Sequence, residues 1–208
     1  MTSDVHDEVD TRATRVAVAA LLIGAVLLGI TLNAPDGSWQ FYAAGFAMAA
    51  TWITAFVMAH TAWRRDGHTV TDTIVGTAVG LVMFGVFAVG SWALHGIPVF
   101  ANAIDGLLRT ADSSTVEWVL ALAWVNAVAE ELFFRGTLID AARGHYRFAV
   151  AVVPYVATTV PSGNAALILA AAVMGTVFAL LRIRTHALTA SIATHLTWST
   201  LVILAFPR

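Results

Sequence analysis

Residues 124–136, WVNAVAEELFFRG, place two adjacent carboxylates, Glu130 and Glu131, and a guanidinium, Arg135, inside one of the most apolar parts of the chain. An ionisable side chain at mid-membrane costs roughly 2.5–3.5 kcal/mol on insertion scales, so it usually has a partner and marks a function. Helix geometry divides the three. Residues at i and i+4 share a face, and neighbours point about 100° apart. Glu131 therefore stacks under Arg135 as an ion pair, and Glu130 points elsewhere, over Asn126. A carboxylate left available in a low-dielectric site suits general-base work or proton relay. A second set lies downstream, where His195 is flanked at i−4 and i+4 by Ser191 and Ser199. Each set also has a structural reading: Glu131–Arg135 as a clamp, His195 as an interhelical hydrogen-bonder, and the serines as small residues that allow close packing.

The elements that carry these groups are membrane-like. The chain of 208 residues is 59% hydrophobic and 12% charged, with a mean hydropathy of +0.79, values a soluble domain rarely reaches. Seven apolar segments stand out, at 16–32, 39–63, 73–95, 116–140, 148–160, 165–181 and 187–205. A helix needs roughly 20 residues to cross the hydrocarbon core. The fifth segment is short and contains Pro154, so it is expected to be short or bent. The fold class expected is all-α: a polytopic helical membrane protein of about seven transmembrane helices, with a polar tail at 1–15 and one helical domain over 16–208. The N-terminus lacks a cleavable-signal pattern, so the first segment is expected to remain as a span.

Arginine placement orients the chain. With the N-terminus inside, the inner side receives Arg12, Arg15, Arg64, Arg65, Arg143, Arg147, Arg182 and Arg184, and the outer side receives Arg109 and Arg208. The N-terminus is thus expected in the cytoplasm. An integral multi-pass protein of a bacterial plasma membrane is expected, with the lipid bilayer as its solvent. Trp39, Trp63, Trp92 and Trp118 fit interfacial belts. The glycines of 76–90 read as packing notches, and His60, His68, His95, His145 and His186 lie at span ends or loops. The absence of cysteine excludes disulfides, thiol chemistry and cysteine–zinc sites. The net charge of −2 comes with no basic patch, so no nucleic-acid partner is expected.

Depth links the polar sites. At 1.5 Å per residue, Glu130 lies about 15 Å from the inner end of its span, His195 about 12 Å, and Thr158 and Thr159 about 15–17 Å. They could converge in one cavity opening inward.

AEELFFRG (129–136) resembles the EExxxR motif of the CAAX-protease and bacteriocin-processing family of intramembrane proteases, also called the Abi family. The segment MGTVFALLRIRTHALTASIATHLTWS (174–199) is similar to that family's later helices ending in HxxxN, and the core resemblance covers about 116–205. Carried over, the resemblance implies that Glu130 activates water, that Arg135 partners Glu131, and that His195 holds the oxyanion or orients the water. Two motifs depart. In YVATT (155–159), Tyr155 and Thr159 stand where the family has FxxxH, and Ser199 replaces its closing asparagine. Ser199 or Thr159 would then supply a hydroxyl donor to the oxyanion. Catalytic zinc wants three protein ligands. Glu130, His195 and Glu131 supply them only if Arg135 releases Glu131, so no metal or cofactor is expected.

The resemblance implies an endopeptidase hydrolysing peptide bonds of membrane-associated peptides or proteins. Two other classes stay open: a catalytically impaired scaffold or immunity protein of the same fold, and a small proton-coupled transporter. No internal repeat supports the transporter.

Overall fold

The computed structural model describes residues 2–35, 37–59, 69–99, 101–102, 115–142 and 144–205. The described residues form a helical bundle without strands. Helix α1 spans Thr2–Asn33, α2 Trp39–Ala59, and α3 Thr69–Leu94. Helix α4 begins at Val116, is α-helical to Glu130, continues as a π-helix over Glu131–Leu138 and ends as a short α turn at Ile139–Ala141. Helix α5 spans Tyr146–Thr159, α6 Ala165–Thr185 and α7 Leu188–Ala205.

Most sequence boundaries fall within a few residues of these. The main difference is the N-terminus, where α1 runs back to Thr2 and takes in the stretch read as a polar tail. Arg64, Arg65, Arg109, Arg143, Arg208, His60, His68 and Trp63 lie outside the described residues.

Five helices are long and apolar enough to cross a membrane: α1 from Arg12, α2, α3, α6 and α7. The other two differ for visible reasons. Helix α4 changes to π geometry midway and carries the ionisable motif. Helix α5 has 14 residues with Pro154 inside, so it reaches about 21 Å at the α-helical rise. A bilayer offers no partner for an open backbone, so a helical bundle is one of two ways to span it. The apolar faces left uncovered agree with a lipid solvent: Leu22, Val26, Val82 and Val89 are more than half exposed. Trp39, Trp92 and Trp118, read as interfacial, are exposed at the start of α2, the end of α3 and the start of α4. The chain is an integral membrane protein.

Local chemistry sets the turns. The Ser38 hydroxyl accepts the Phe41 amide at the start of α2 (3.2 Å). Between α5 and α6, Val160–Ser162 tightens to a 3-10 turn and Gly163 takes φ 65°, a left-handed value that suits glycine. Asn164 then caps α6 by accepting from the Leu167 amide at 2.8 Å. The turn rests against α1, where a Cβ at Gly29 would touch Pro161. The C-terminal ends of α1 and α5 therefore lie on one side of the bundle. Arg12, Arg15, Arg147, Arg182 and Arg184 all sit toward the opposite side.

Close approaches fix α7, which carries His195. A Cβ at Gly76 would overlap the carbonyl oxygen of Ala190, and one at Gly80 would lie 2.7 Å from Thr197 Cβ. The Thr194 hydroxyl donates to the Gly76 carbonyl at 2.9 Å. The notch reading holds for Gly76 and Gly80, whereas a Cβ at Gly85 or Gly90 would meet nothing within 4 Å.

Candidate active site

The motif lies on the π-helical stretch of α4. A π-helix is rare, appears mostly as single turns and is often found at functional sites. Every residue from Glu131 to Thr137 is buried. A helix buried on all sides needs neighbours on all sides, and α2, α5, α6 and α7 provide them. Phe133 and Phe134 fill the space toward α2 and α5: Phe133 stacks on Trp52 with centroids 4.7 Å apart, and Phe134 meets Tyr155 edge-on at 5.0 Å.

Glu131 is the hub. Its Oε1 accepts from Arg135 Nη1 at 3.1 Å, both side chains being wholly buried, and lies 3.2 Å from His195 Nδ1. The expected i,i+4 pair is present despite the π geometry. Glu131 thus also ties α4 to α7, a contact that spacing along one helix cannot reveal. Arg135 is held from several directions. Nη2 donates to the Gly175 carbonyl at 3.4 Å, and the guanidinium lies 4.3 Å from the Tyr155 ring centroid and 5.1 Å from that of Phe178, within cation–π range. A Cβ at Gly175 would sit 3.1 Å from Tyr155 Cδ1, so glycine there lets α6 approach both side chains.

Below Arg135 the polar chain continues. Arg182 Nε donates to the Arg135 carbonyl at 3.1 Å, and Arg182 Nη2 to Asp140 Oδ1 at 2.8 Å. Arg182 had counted only as an inner-side charge. In the structure it braces the motif from α6.

Glu130 is the group left out of this lattice. It is half-buried, and its Oε2 accepts from the Tyr155 hydroxyl at 2.9 Å. Sequence reasoning noted Tyr155 only as a departure from FxxxH. The signal was its hydroxyl, on an aromatic that the motif already places near the site. Asn126, expected beneath Glu130, instead donates to the carbonyls of Gly45 (3.2 Å) and Leu122 (3.0 Å), linking α4 to α2.

Glu130, Tyr155, Thr158, Thr159 and His195 line one cavity of about 150 Å³. Three of the six candidate residues, Glu130, Thr159 and His195, thus share a wall, with Glu131 and Arg135 packed behind it. Ser199, buried on α7, is not among the lining residues. Thr159 lines the cavity, but its hydroxyl donates to the Val156 carbonyl at 2.8 Å. Neither hydroxyl is therefore arranged as the oxyanion donor expected of it.

The side of the cavity also differs from expectation. Its other walls come from Leu28 near the end of α1, Met48 in the first half of α2 and Leu167 in the first turn of α6. These lie toward the α1–α2 and α5–α6 turns, away from the arginine-bearing ends. The Glu131–Arg135–Arg182–Asp140 chain lies on the arginine side of Glu130.

Among the described residues no group of three His, Cys, Asp or Glu side chains could hold a metal ion. One Glu131 oxygen already serves both Arg135 and His195.

Residues 112–201 match the model of the family described as type II CAAX prenyl endopeptidase Rce1-like. No curated protein and no solved structure matches the chain. The matched segment takes in α4 through most of α7, and with them Glu130, Glu131, Arg135, Tyr155 and His195. Over this segment the chain is similar to the Rce1-like family, in agreement with the resemblance its glutamates and arginine carry.

Proposed function

We propose that the protein is an intramembrane endopeptidase that hydrolyses peptide bonds of membrane-associated substrates with a glutamate-activated water. The observation that carries this reading is Glu130: a half-buried carboxylate on a cavity wall, with one oxygen held by Tyr155 and His195 on the same wall. The family match supports CAAX-type intramembrane protease chemistry.

Tyr155 holds Oε2, which leaves Oε1 to take a proton from water. The water oxygen attacks the scissile carbonyl carbon, and the carbonyl oxygen becomes an oxyanion. His195 is oriented through Nδ1 by Glu131. Carrying a proton on Nε2, His195 donates to the oxyanion from the cavity wall. Such preorganised donors are worth most in a water-poor site. Collapse breaks the C–N bond, and Glu130 returns the proton to the leaving amine. Glu131 and Arg135 are positioning residues in this scheme, which routes no step through a metal.

One observation favours a second reading, a catalytically impaired membrane scaffold. The Thr159 hydroxyl is turned to its own helix and Ser199 lies off the cavity, which leaves His195 as the sole oxyanion donor of the expected set. The test is to reconstitute the purified protein in liposomes with a panel of membrane-anchored peptides and to identify products by mass. Fragments with a new carboxyl and a new amino terminus support the endopeptidase. No cleavage across the panel, by a protein that stays folded, favours the scaffold.

A further inference from the structure

The π-helical stretch of α4 changes which donor serves the Arg135 carbonyl. An α-helix pairs each amide with the carbonyl four residues back, which would give the Ile139 amide to Arg135. Instead the Ile139 amide donates to the Gly136 carbonyl, and Arg182 Nε donates to the Arg135 carbonyl at 3.1 Å. A side chain of α6 thus stands where an ordinary helix puts its own amide. Arg182 is buried, and its Nη2 is fixed by Asp140 Oδ1 at 2.8 Å. Two turns earlier on α6, the Gly175 carbonyl accepts from Arg135 Nη2 at 3.4 Å. Helix α6 therefore grips Arg135 twice, by side chain and by backbone.

We propose that Arg182 is a positioning residue, which holds the motif helix in its π turn and so sets the register at which Glu130 meets Tyr155 and Glu131 meets His195. The inference rests on the endopeptidase reading for its effect on catalysis, and it assigns a part in that geometry to a residue outside the motif. A π turn is an uncommon geometry. A buried carbonyl that loses its donor costs free energy, which favours return to the α form unless another donor serves it. Arg182 is that donor. Its planar fork meets a carbonyl and a carboxylate at once, whereas a lysine ammonium is a point charge without that fork. Return to about 3.6 residues per turn rotates the residues before the turn relative to those within it. Because α6 holds Arg135, Glu130 and Glu131 take up the rotation, and they are the residues that face Tyr155 and His195. Misplacement of reacting groups by about 1 Å costs up to roughly 100-fold in rate.

Two variants separate the carbonyl bond from the ion pair. Arg182→Met removes both. Arg182→Lys keeps a cation for Asp140 but has no Nε–H for the Arg135 carbonyl. The control is Arg184→Met, which replaces an exposed arginine two residues on. Peptide cleavage is measured well below each melting temperature. Arg182→Met and Arg182→Lys lose roughly 10–100-fold in kcat with KM little changed, and Arg184→Met keeps the wild-type rate. A wild-type kcat in folded Arg182→Lys reveals a brace for stability alone and overturns the proposal.

A second arm needs no turnover and compares crystal structures of wild type and Arg182→Lys. In the variant, residues 131–138 become α-helical, the Ile139 amide returns to the Arg135 carbonyl, and Glu131 Oε1 parts from His195 Nδ1. A π stretch that persists in Arg182→Lys, with the Glu131–His195 contact intact, overturns the proposal whatever the rate. If wild type cleaves no peptide, the endopeptidase reading fails, while the two structures still report whether Arg182 holds the turn.

Discussion

Arg135→Met removes the cation from a pair whose two side chains are wholly buried, 3.1 Å apart. Glu131 would keep His195 Nδ1 at 3.2 Å as its remaining partner, and its Oε2 already has none among the described residues. Breaking a buried pair by deleting one member costs about 3–5 kcal/mol, mostly for the charge left behind. Loss of the guanidinium above the Tyr155 and Phe178 rings adds up to about 2 kcal/mol, partly offset by methionine packing. At about 2–4 °C per kcal/mol for a chain of this size, a loss of 3–5 kcal/mol lowers the melting temperature by about 6–20 °C. Glu131→Gln strands Arg135 and has a cost of the same kind. The double variant Glu131→Gln/Arg135→Met removes both charges, and replacing a buried pair is often near neutral, so it melts above either single variant. The assay is thermal unfolding in detergent, followed by the loss of monodisperse protein on size exclusion. An Arg135→Met midpoint within about 2 °C of wild type, or a double variant whose loss equals the sum of the singles, would refute the clamp.

Tyr155→Phe keeps the ring against Arg135 and Phe134 but deletes the donor to Glu130. A hydrogen bond to a charged group is worth about 1.5–3 kcal/mol, so kcat should fall roughly 10–100-fold with KM little changed; a kcat within twofold of wild type would count against the Tyr155 contact. The chain contains no cysteine, so single cysteines report exposure cleanly. Leu167→Cys, on the cavity wall, should react with a membrane-impermeant maleimide from one face of oriented vesicles, and Ala141→Cys, at the arginine-side end of α4, from the other. Labelling of both from the same face would contradict the placement of the cavity.

Local periodicity carried much of the architecture. The seven apolar runs correspond to the seven helices named above, because each run satisfies its own backbone and needs no information from elsewhere in the chain. The Glu131–Arg135 pair was legible because both residues lie four apart on one helix. Similar depth allowed Glu130, Thr159 and His195 to meet, but only the packing shows that their helices are neighbours and that the cavity lies toward the α1–α2 and α5–α6 turns. Contacts between helices were beyond that logic. His195 meets Glu131, and Arg182 reaches the Arg135 carbonyl across 47 residues of sequence, through packing that periodicity does not encode. The π segment was hidden as well: no residue in ELFFRGTL forbids an ordinary α-helix, and the wider turn shows only in the folded bundle. Thr159 and Ser199 stood out by type, but which way a hydroxyl turns depends on the nearest carbonyl, and for Thr159 that is Val156.

The account stands on a division of labour between adjacent carboxylates, with Glu130 reacting and Glu131 holding the lattice. The most direct test measures peptide cleavage and melting temperature on the same preparation of Glu130→Gln. The account predicts at least about a 100-fold loss of cleavage, the lower bound of general-base catalysis, with a melting temperature within about 3 °C of wild type, a shift near 1 kcal/mol. Cleavage that continues at the wild-type rate in Glu130→Gln, or a loss of activity that merely follows unfolding, would contradict it.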